Sequence, residues 1–220
     1  MTFIALQIRH DKGPSIREGI EKSPGWVLLP DLHPEALLAY DIETFKQSYK
    51  HVHMIMGFPP CKAFSMAAVS HYWDGFIPKN EKAVHYLEIA YGMADRFMAM
   101  NKEIVWYMEN PRGVLRKMIE KDRPNFPKRV AITQCTYDEE HTPSLRQKPT
   151  MIWTNLKNPQ FRPPCGRGAK CHVNAPAGSA TGSQGQWGLA KSALPLPLQL
   201  EFINFAEQEW LKWMAKATFH

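Results

Sequence analysis

Val52-His53-Met54-Ile55-Met56-Gly57-Phe58-Pro59-Pro60-Cys61-Lys62-Ala63-Phe64-Ser65 decides how this chain is read. His51 to Met56 is an apolar run of strand length. Gly57 and the rigid Pro59-Pro60 pair end it. A thiol, Cys61, therefore follows a buried strand. Further on, a second run from Glu103 to Met108 leads into Glu109-Asn110-Pro111-Arg112-Gly113. A thiol and a carboxylate each stand at the end of a strand.

Working outward from 52–65, strands and helices alternate. Thr2 to Ile8 reads as a first strand and Arg9 to Ser15 as a loop. Ile16 to Lys22 suits a short helix with Ser15 as its N-cap. Trp26 to Leu29 is a second strand ending at Pro30-Asp31. Glu35 to Ala39 and Thr44 to Tyr49 read as helical. Ala83 to Met100 is a long helix whose buried face is Val84, Leu87, Ala90, Tyr91, Ala94, Phe97 and Met98, spaced at three and four. Its methionines read as core filler. Gly113 to Glu120 is a further helix. Arg129 to Cys135 and Thr150 to Trp153 form a strand pair, and Leu196 to Ala215 closes the chain as a helix. This alternation predicts an α/β fold, Rossmann-like, with a mostly parallel sheet flanked by helices. In such sheets ligands bind beyond the carboxyl ends of the strands. Asp31, Cys61 and Glu109 then share one rim.

The chain of 220 residues suits one main domain, read here as 1–156. Residues 157–188 are rich in Pro, Gly, Ser, Ala and Gln and too poor in large apolar side chains for a core of their own. They read as an inserted loop region, and 189–220 as a return to the main domain. No internal repeat is visible. Apolar content of 44% and charged content of 22% are ordinary for a globular chain. No apolar run approaches the roughly 18 residues that cross a membrane. The N-terminus lacks a basic, cleavable leader pattern. A cytoplasmic, monomeric protein is expected. Net charge of +6 fits a polyanion partner, although many basic proteins bind no nucleic acid.

Cys61 and Glu109 suit addition chemistry on a heterocycle. A thiolate is strongly nucleophilic and also leaves well. Adding it to a ring carbon of such a heterocycle breaks the ring's aromaticity and makes the neighbouring carbon a nucleophilic enamine carbon. A protonated carboxyl group facing a ring nitrogen makes the attacked carbon more electrophilic. That role requires a raised pKa, which burial supplies. The bland readings are a buried structural cysteine and, for Asn110-Pro111, the start of a helix with Asn110 as cap.

These residues resemble the catalytic motifs of the DNA cytosine-5 methyltransferases. That family carries a Pro-Cys loop followed by Phe-Ser, then a Glu-Asn-Val or Glu-Asn-Pro loop. The chain is similar to compact, phage-type members, which would place it in a bacterial host cell. The resemblance implies Cys61 as nucleophile and Glu109 as acid, acting on a flipped-out cytosine in DNA. Pro60, Phe64, Ser65, Asn110 and Pro111 would surround the base. Pro143 to Lys148 resembles the family's Arg segment, with Tyr137 ahead of it. Arg146 would support the base or a phosphate, and Lys148 would contact phosphate, being a point charge and not a fork.

The resemblance also implies S-adenosylmethionine as donor. Gly13, Ser15 and Ile16 stand in the first loop, Asp31 where an acid binds ribose hydroxyls, and Asp41 near the adenine. Gly57 and Pro59 border the donor, and Ser192 in Lys191 to Pro195 resembles the last motif. The first loop lacks the family's glycine-rich pattern, and Arg9 and Lys12 bring positive charge toward a sulfonium. Two rivals therefore stand beside methyl transfer: modification of cytosine C5 from a different donor, and a non-catalytic DNA-binding relative. The retained Cys61 and Glu109 argue against the latter.

The insert would read DNA. Arg162, Arg167, Lys170, Asn174, Gln184, Gln186 and Trp187 are candidate contacts for a site of about two to four base pairs. Cys135, Cys165, Cys171 and His172 are candidate ligands of a structural zinc, with His141 as a further candidate. Their spacing matches no standard finger. In a cytoplasmic chain, cysteines serve metals or catalysis more often than disulfides.

Overall fold

The first four strands of the sheet form from short apolar runs that pair in parallel. In this computed structural model, residues 1–10, 13–66, 68–137, 148–166, 169, 171 and 194–217 are described. Strands β1 (Phe3–Ile8), β2 (Trp26–Leu28) and β3 (Met54–Gly57) alternate with helices α1 (Arg17–Glu21), α2 (Pro34–Ala39) and α3 (Ile42–Ser48). Next come α4 (Cys61–Phe64), α5 (Val69–Tyr72), the two-residue strands β4 (Trp73–Asp74) and β5 (Ile77–Pro78), and α6 (Glu81–Ala99). The chain continues through β6 (Val105–Pro111), α7 (Leu115–Asp122), β7 (Val130–Thr133), a 3-10 turn at Gln134–Tyr137, β8 (Pro149–Thr154) and α8 (Leu196–Ala217).

Six strands form one sheet in the order β2-β1-β3-β6-β8-β7. β2, β1, β3 and β6 are mutually parallel, and β8 runs antiparallel between β6 and β7. The α/β class and the mostly parallel sheet flanked by helices are therefore as the sequence predicts, compatible with a Rossmann-like fold. The chain leaves β1 for β2 on one side and returns to β3 on the other. The crevice between the ends of β1 and β3 is thus the point where the strand order reverses.

Strand alternation divides the core in two. Ile4, Leu6, Ile8, Ile55, Trp106 and Met108 face α2, α3, α6 and α7. Phe3, Ala5, Met54, Met56, Val105 and Tyr107 face α8 and α1, packing with Leu198, Phe202 and Ile203. The buried face of α6 is rotated from the predicted one. Val84 and Met98 are exposed, while Ala83, Ile89, Ala90, Met93, Ala94 and Phe97 are buried. The physical reason is close approach. A Cβ on Gly57 would collide with the Met93 sulfur and lie 2.7 Å from the Phe97 ring. The helix therefore seats its Met93–Phe97 stripe on the end of β3.

The β4–β5 hairpin gives no signal in the sequence, because two-residue strands carry no period. It is bound to α4: the Trp73 indole donates to the Ala63 carbonyl at 2.7 Å, and its ring stacks on Phe64. Ser15 is not the N-cap of α1, which is Ile16; the Ser15 hydroxyl accepts instead from the Arg17 amide and donates to Gln7. Among the described residues, no helix is long and apolar enough to cross a membrane.

Candidate functional site

Parallel register sets the site. Ile8, Gly57 and Met108 are partners in one row across β1, β3 and β6. The residues beyond that row are Arg9, Phe58 and Glu109, so the polar groups gather at the carboxyl rim.

Glu109, Asn110 and Pro111 are not in a loop after the strand. They belong to β6 and pair with Ile152, Met151 and Thr150 of β8. An antiparallel neighbour extends the ladder past the apolar run, which a polar sequence there conceals. Nor is Asn110 a helix cap, since α7 begins at Leu115 behind Val114. Its side-chain amide donates to the Pro59 carbonyl at 3.2 Å and so ties β6 to the Pro-Cys turn. Gly113 completes the link. Ser65 and Gly113 form a β-bridge, and the Val114 amide donates to the Phe64 carbonyl at 3.0 Å. A Cβ on Gly113 would run into that carbonyl oxygen.

Cys61 opens α4 with Pro60 at the cap position, and it is exposed. Glu109 is 1% exposed. Its Oε1 and the neighbouring Asn110 Oδ1 are buried acceptors with no hydrogen-bond partner among the described residues. Such orphans are uncommon and mark strain, chemistry or a missing ligand. Burial pushes the Glu109 carboxyl pKa up; the Lys148 charge and the Thr150 hydroxyl pull it the other way. Desolvation by the surrounding turn raises the Cys61 thiol, the Glu109 charge adds to that, and Lys148 opposes it. Lys148 thus sits with the thiol and the acid as one electrostatic group. Phe64 is fully buried against Trp73, and its ring supports the turn.

Of the residues read as a donor site, Ser15, Ile16 and Asp31 meet at Gln7, and Arg9 joins Asp31 to Gly13. Gln7, fully buried in β1, donates to Asp31 at 2.7 Å and accepts from the Ser15 hydroxyl and the Ile16 amide. Asp31 also takes Arg9 at 3.0 Å and Arg17 at 3.2 Å. Arg9 reaches on to the Gly13 carbonyl at 2.9 Å. Asp41 caps α3, accepting from the Thr44 amide and hydroxyl at 2.7 and 2.8 Å. Gln7, the organiser of this crevice, is invisible to sequence reasoning because a lone glutamine in an apolar run gives no signal.

Three of the predicted metal ligands meet. The ligand atoms of Cys135, Cys165 and Cys171 all lie within 4.8 Å of one another, close enough to hold a metal ion. Cys135 and Cys165 sulfurs are 3.3 Å apart, and Cys171 is 3.7 Å from Cys135. Burial, with hydrogen bonds to Cys165 and Cys171, pushes the Cys135 thiol up to about 12. Arg146, Ser192, His172 and His141 lie outside the described residues, as does most of the 157–188 insert.

No family model matches this chain, and no curated protein matches it significantly in sequence.

Proposed function

We propose that this protein modifies C5 of cytosine in DNA, transferring a methyl group by way of a covalent bond between Cys61 and C6. The observation that carries the reading is Glu109, a buried carboxyl group with a raised pKa and an Oε1 without a partner among the described residues, held with the Cys61 thiol at one rim of the sheet. A protonated carboxyl can donate to N3 of cytosine while its other oxygen accepts from the exocyclic amine, matching one edge of the base. Burial and the Glu109 charge push the Cys61 thiol pKa up, and Lys148 opposes them in favour of the thiolate. Attack by sulfur forms the S–C6 bond as N3 takes the Glu109 proton. C5 then carries the electron pair that accepts the methyl group. Loss of the C5 proton and departure of the thiolate, with return of the N3 proton to Glu109, restore the ring. A target base inside a duplex must flip out to reach Cys61.

S-adenosylmethionine is the donor that the resemblance implies; it supplies an electrophilic methyl group on a sulfonium. The residues at the ends of β1 and β2 fit it incompletely. Asp31 already holds Arg9, Arg17 and Gln7, and two guanidinium groups stand where a sulfonium would approach. That observation favours a second reading, the same activation of cytosine with a donor that carries no fixed positive charge. For the three-thiol cluster we propose a structural zinc, because a tetrahedral site with sulfur at about 2.3 Å spaces its sulfurs by about 3.8 Å.

Nucleoside mass spectrometry tests the function. DNA from a host without cytosine methylation is digested after expression of the native chain or of Cys61→Ser. The expected result is 5-methylcytosine with the native chain alone. A cytosine of different mass establishes the second reading. Unmodified DNA, from cells and with purified protein given S-adenosylmethionine, overturns both.

A further inference from the structure

The turn Gln134–Tyr137 carries Cys135, and each of its residues is bound to something that matters elsewhere. On one side stands the active group. The Gln134 amide donates to the Lys148 carbonyl at 3.1 Å, and the Gln134 side chain donates to the Thr150 hydroxyl at 3.2 Å. Lys148 and Thr150 are the two groups that act on Glu109, and Lys148 acts on Cys61 as well. On the other side stands the segment leading into the insert. The Cys165 amide donates to the Thr133 hydroxyl at 2.8 Å. The Arg162 amide donates to the Tyr137 hydroxyl at 2.8 Å, and its guanidinium donates to the Thr136 carbonyl at 2.9 Å while covering the Tyr137 ring.

Residues 155–166 hold no helix or strand. Side-chain ties fasten that stretch to the turn, and the three thiols converge where those ties end. Sulfur separations of 3.3 and 3.7 Å fall just inside the edge of about 3.8 Å expected for a zinc–thiolate tetrahedron. Cys135 is buried and Cys165 and Cys171 are half-buried, so an ion there is held from the protein side and reached from solvent.

We propose that a zinc ion bound by Cys135, Cys165 and Cys171 is the clasp that holds the Gln134 turn, and through it Lys148, beside Cys61. The inference rests on the zinc reading given above. On binding, the coordinating thiols give their protons to solvent and three sulfur–zinc bonds form, with the fourth position taken by solvent or a further ligand. The ion touches no substrate. Its effect on the reaction is positional, one residue from the Lys148 hydrogen bond.

The test reads metal and position separately. Zinc per chain is measured by elemental analysis. Cadmium added to the metal-free protein reports thiolate ligation by its charge-transfer absorption. The rate of iodoacetamide labelling of Cys61, resolved by peptide mass spectrometry at about pH 8, reports the position of Lys148. We expect one zinc per chain. Its removal should slow Cys61 labelling about threefold or more, and its return should restore the rate. Gln134→Pro, which removes the amide that donates to Lys148, should slow labelling while zinc stays bound. If chelation unfolds the chain, as circular dichroism will show, the zinc-loaded Gln134→Pro protein carries the test alone. Bound zinc with Cys61 labelling unchanged in both arms overturns the clasp and leaves the zinc reading standing. No stoichiometric zinc and no cadmium charge transfer overturns both.

Discussion

Two polar clusters stand on the same rim of the sheet, and they are built in opposite ways. At the ends of β1 and β2, Gln7 and Asp31 are saturated. Gln7 makes three hydrogen bonds, and the two Asp31 oxygens take Gln7, Arg9 and Arg17. At the ends of β3 and β6, Glu109 and Asn110 each keep a buried oxygen with no partner among the described residues. Leaving a buried polar group unpaired costs about 1–3 kcal/mol. A sequence could have removed that cost with an apolar side chain, since the rest of β6 is apolar. The difference separates polar groups that build the fold from polar groups held open for something else.

Replacing Glu109 sharpens this contrast most. Glu109→Gln should lower activity by about 10²–10³-fold, because an amide cannot deliver the proton to N3. Its stability should move the other way at high pH. The native carboxyl pKa lies above the ordinary 4.5. Below the ordinary value both states are protonated and the variant matches the native chain. As pH rises, the unfolded state ionises first, so the native chain loses stability that the neutral amide of the variant keeps. Melting curves should coincide at about pH 4 and separate by a few degrees at about pH 8, the variant higher. Equal melting temperatures at both pH values would remove Glu109 from the class of groups held open at a cost.

Gly113→Ala attacks the join between β6 and the Cys61 turn. The new Cβ would meet the Phe64 carbonyl, and backbone must move because no flexible side chain can give. The expected cost is about 2 kcal/mol, or roughly 4–8 °C in Tm for a chain of this size. Activity should fall about 10–100-fold at temperatures where the variant is folded, because the Cys61 turn shifts relative to Glu109. A variant that loses stability but keeps full activity would show that the bridge serves the fold alone.

Much of this architecture can be read from residues. Apolar runs and the Pro59-Pro60 stop locate the end of β3, and the periodic apolar pattern locates α6. What escapes has physical causes. Glu109-Asn110-Pro111 reads as a loop because its burial comes from β8, paired from about forty residues further along. The face of α6 is misplaced because pattern alone weighs Val84 and Met98 above Ala83 and Met93, whereas the close approach of Met93 and Phe97 to Gly57 sets which side is buried. Asp31's place after a strand is legible, but its partners Arg9 and Arg17 are not, because ion pairs between loop residues leave no periodic pattern. The three cysteines can be named, yet their convergence depends on the turn after β7 meeting a segment without regular structure.

Asp31→Asn is the smallest change and bears directly on the saturated cluster. Its ion pairs are partly exposed, with Asp31 side-chain exposure at 28% and Arg17 at 53%. Their loss should cost only about 1 kcal/mol, or roughly 2–4 °C in Tm. Raising the salt concentration should shrink the difference between variant and native chain, since screening weakens exposed pairs. If Asp31 only fastens Arg9 and Arg17, affinity for S-adenosylmethionine, measured by calorimetry, changes no more than about twofold. If instead its carboxylate takes the ribose hydroxyls, affinity falls roughly tenfold while Tm barely moves, for the bonds lost would be to the ligand. The second outcome would require Arg9 and Arg17 to release Asp31 when the donor arrives, and it would erase the contrast between the two clusters. The first would mean that this rim was built around a fixed acid–arginine joint, with any chemistry confined to the Cys61 turn and β6, which carries Glu109.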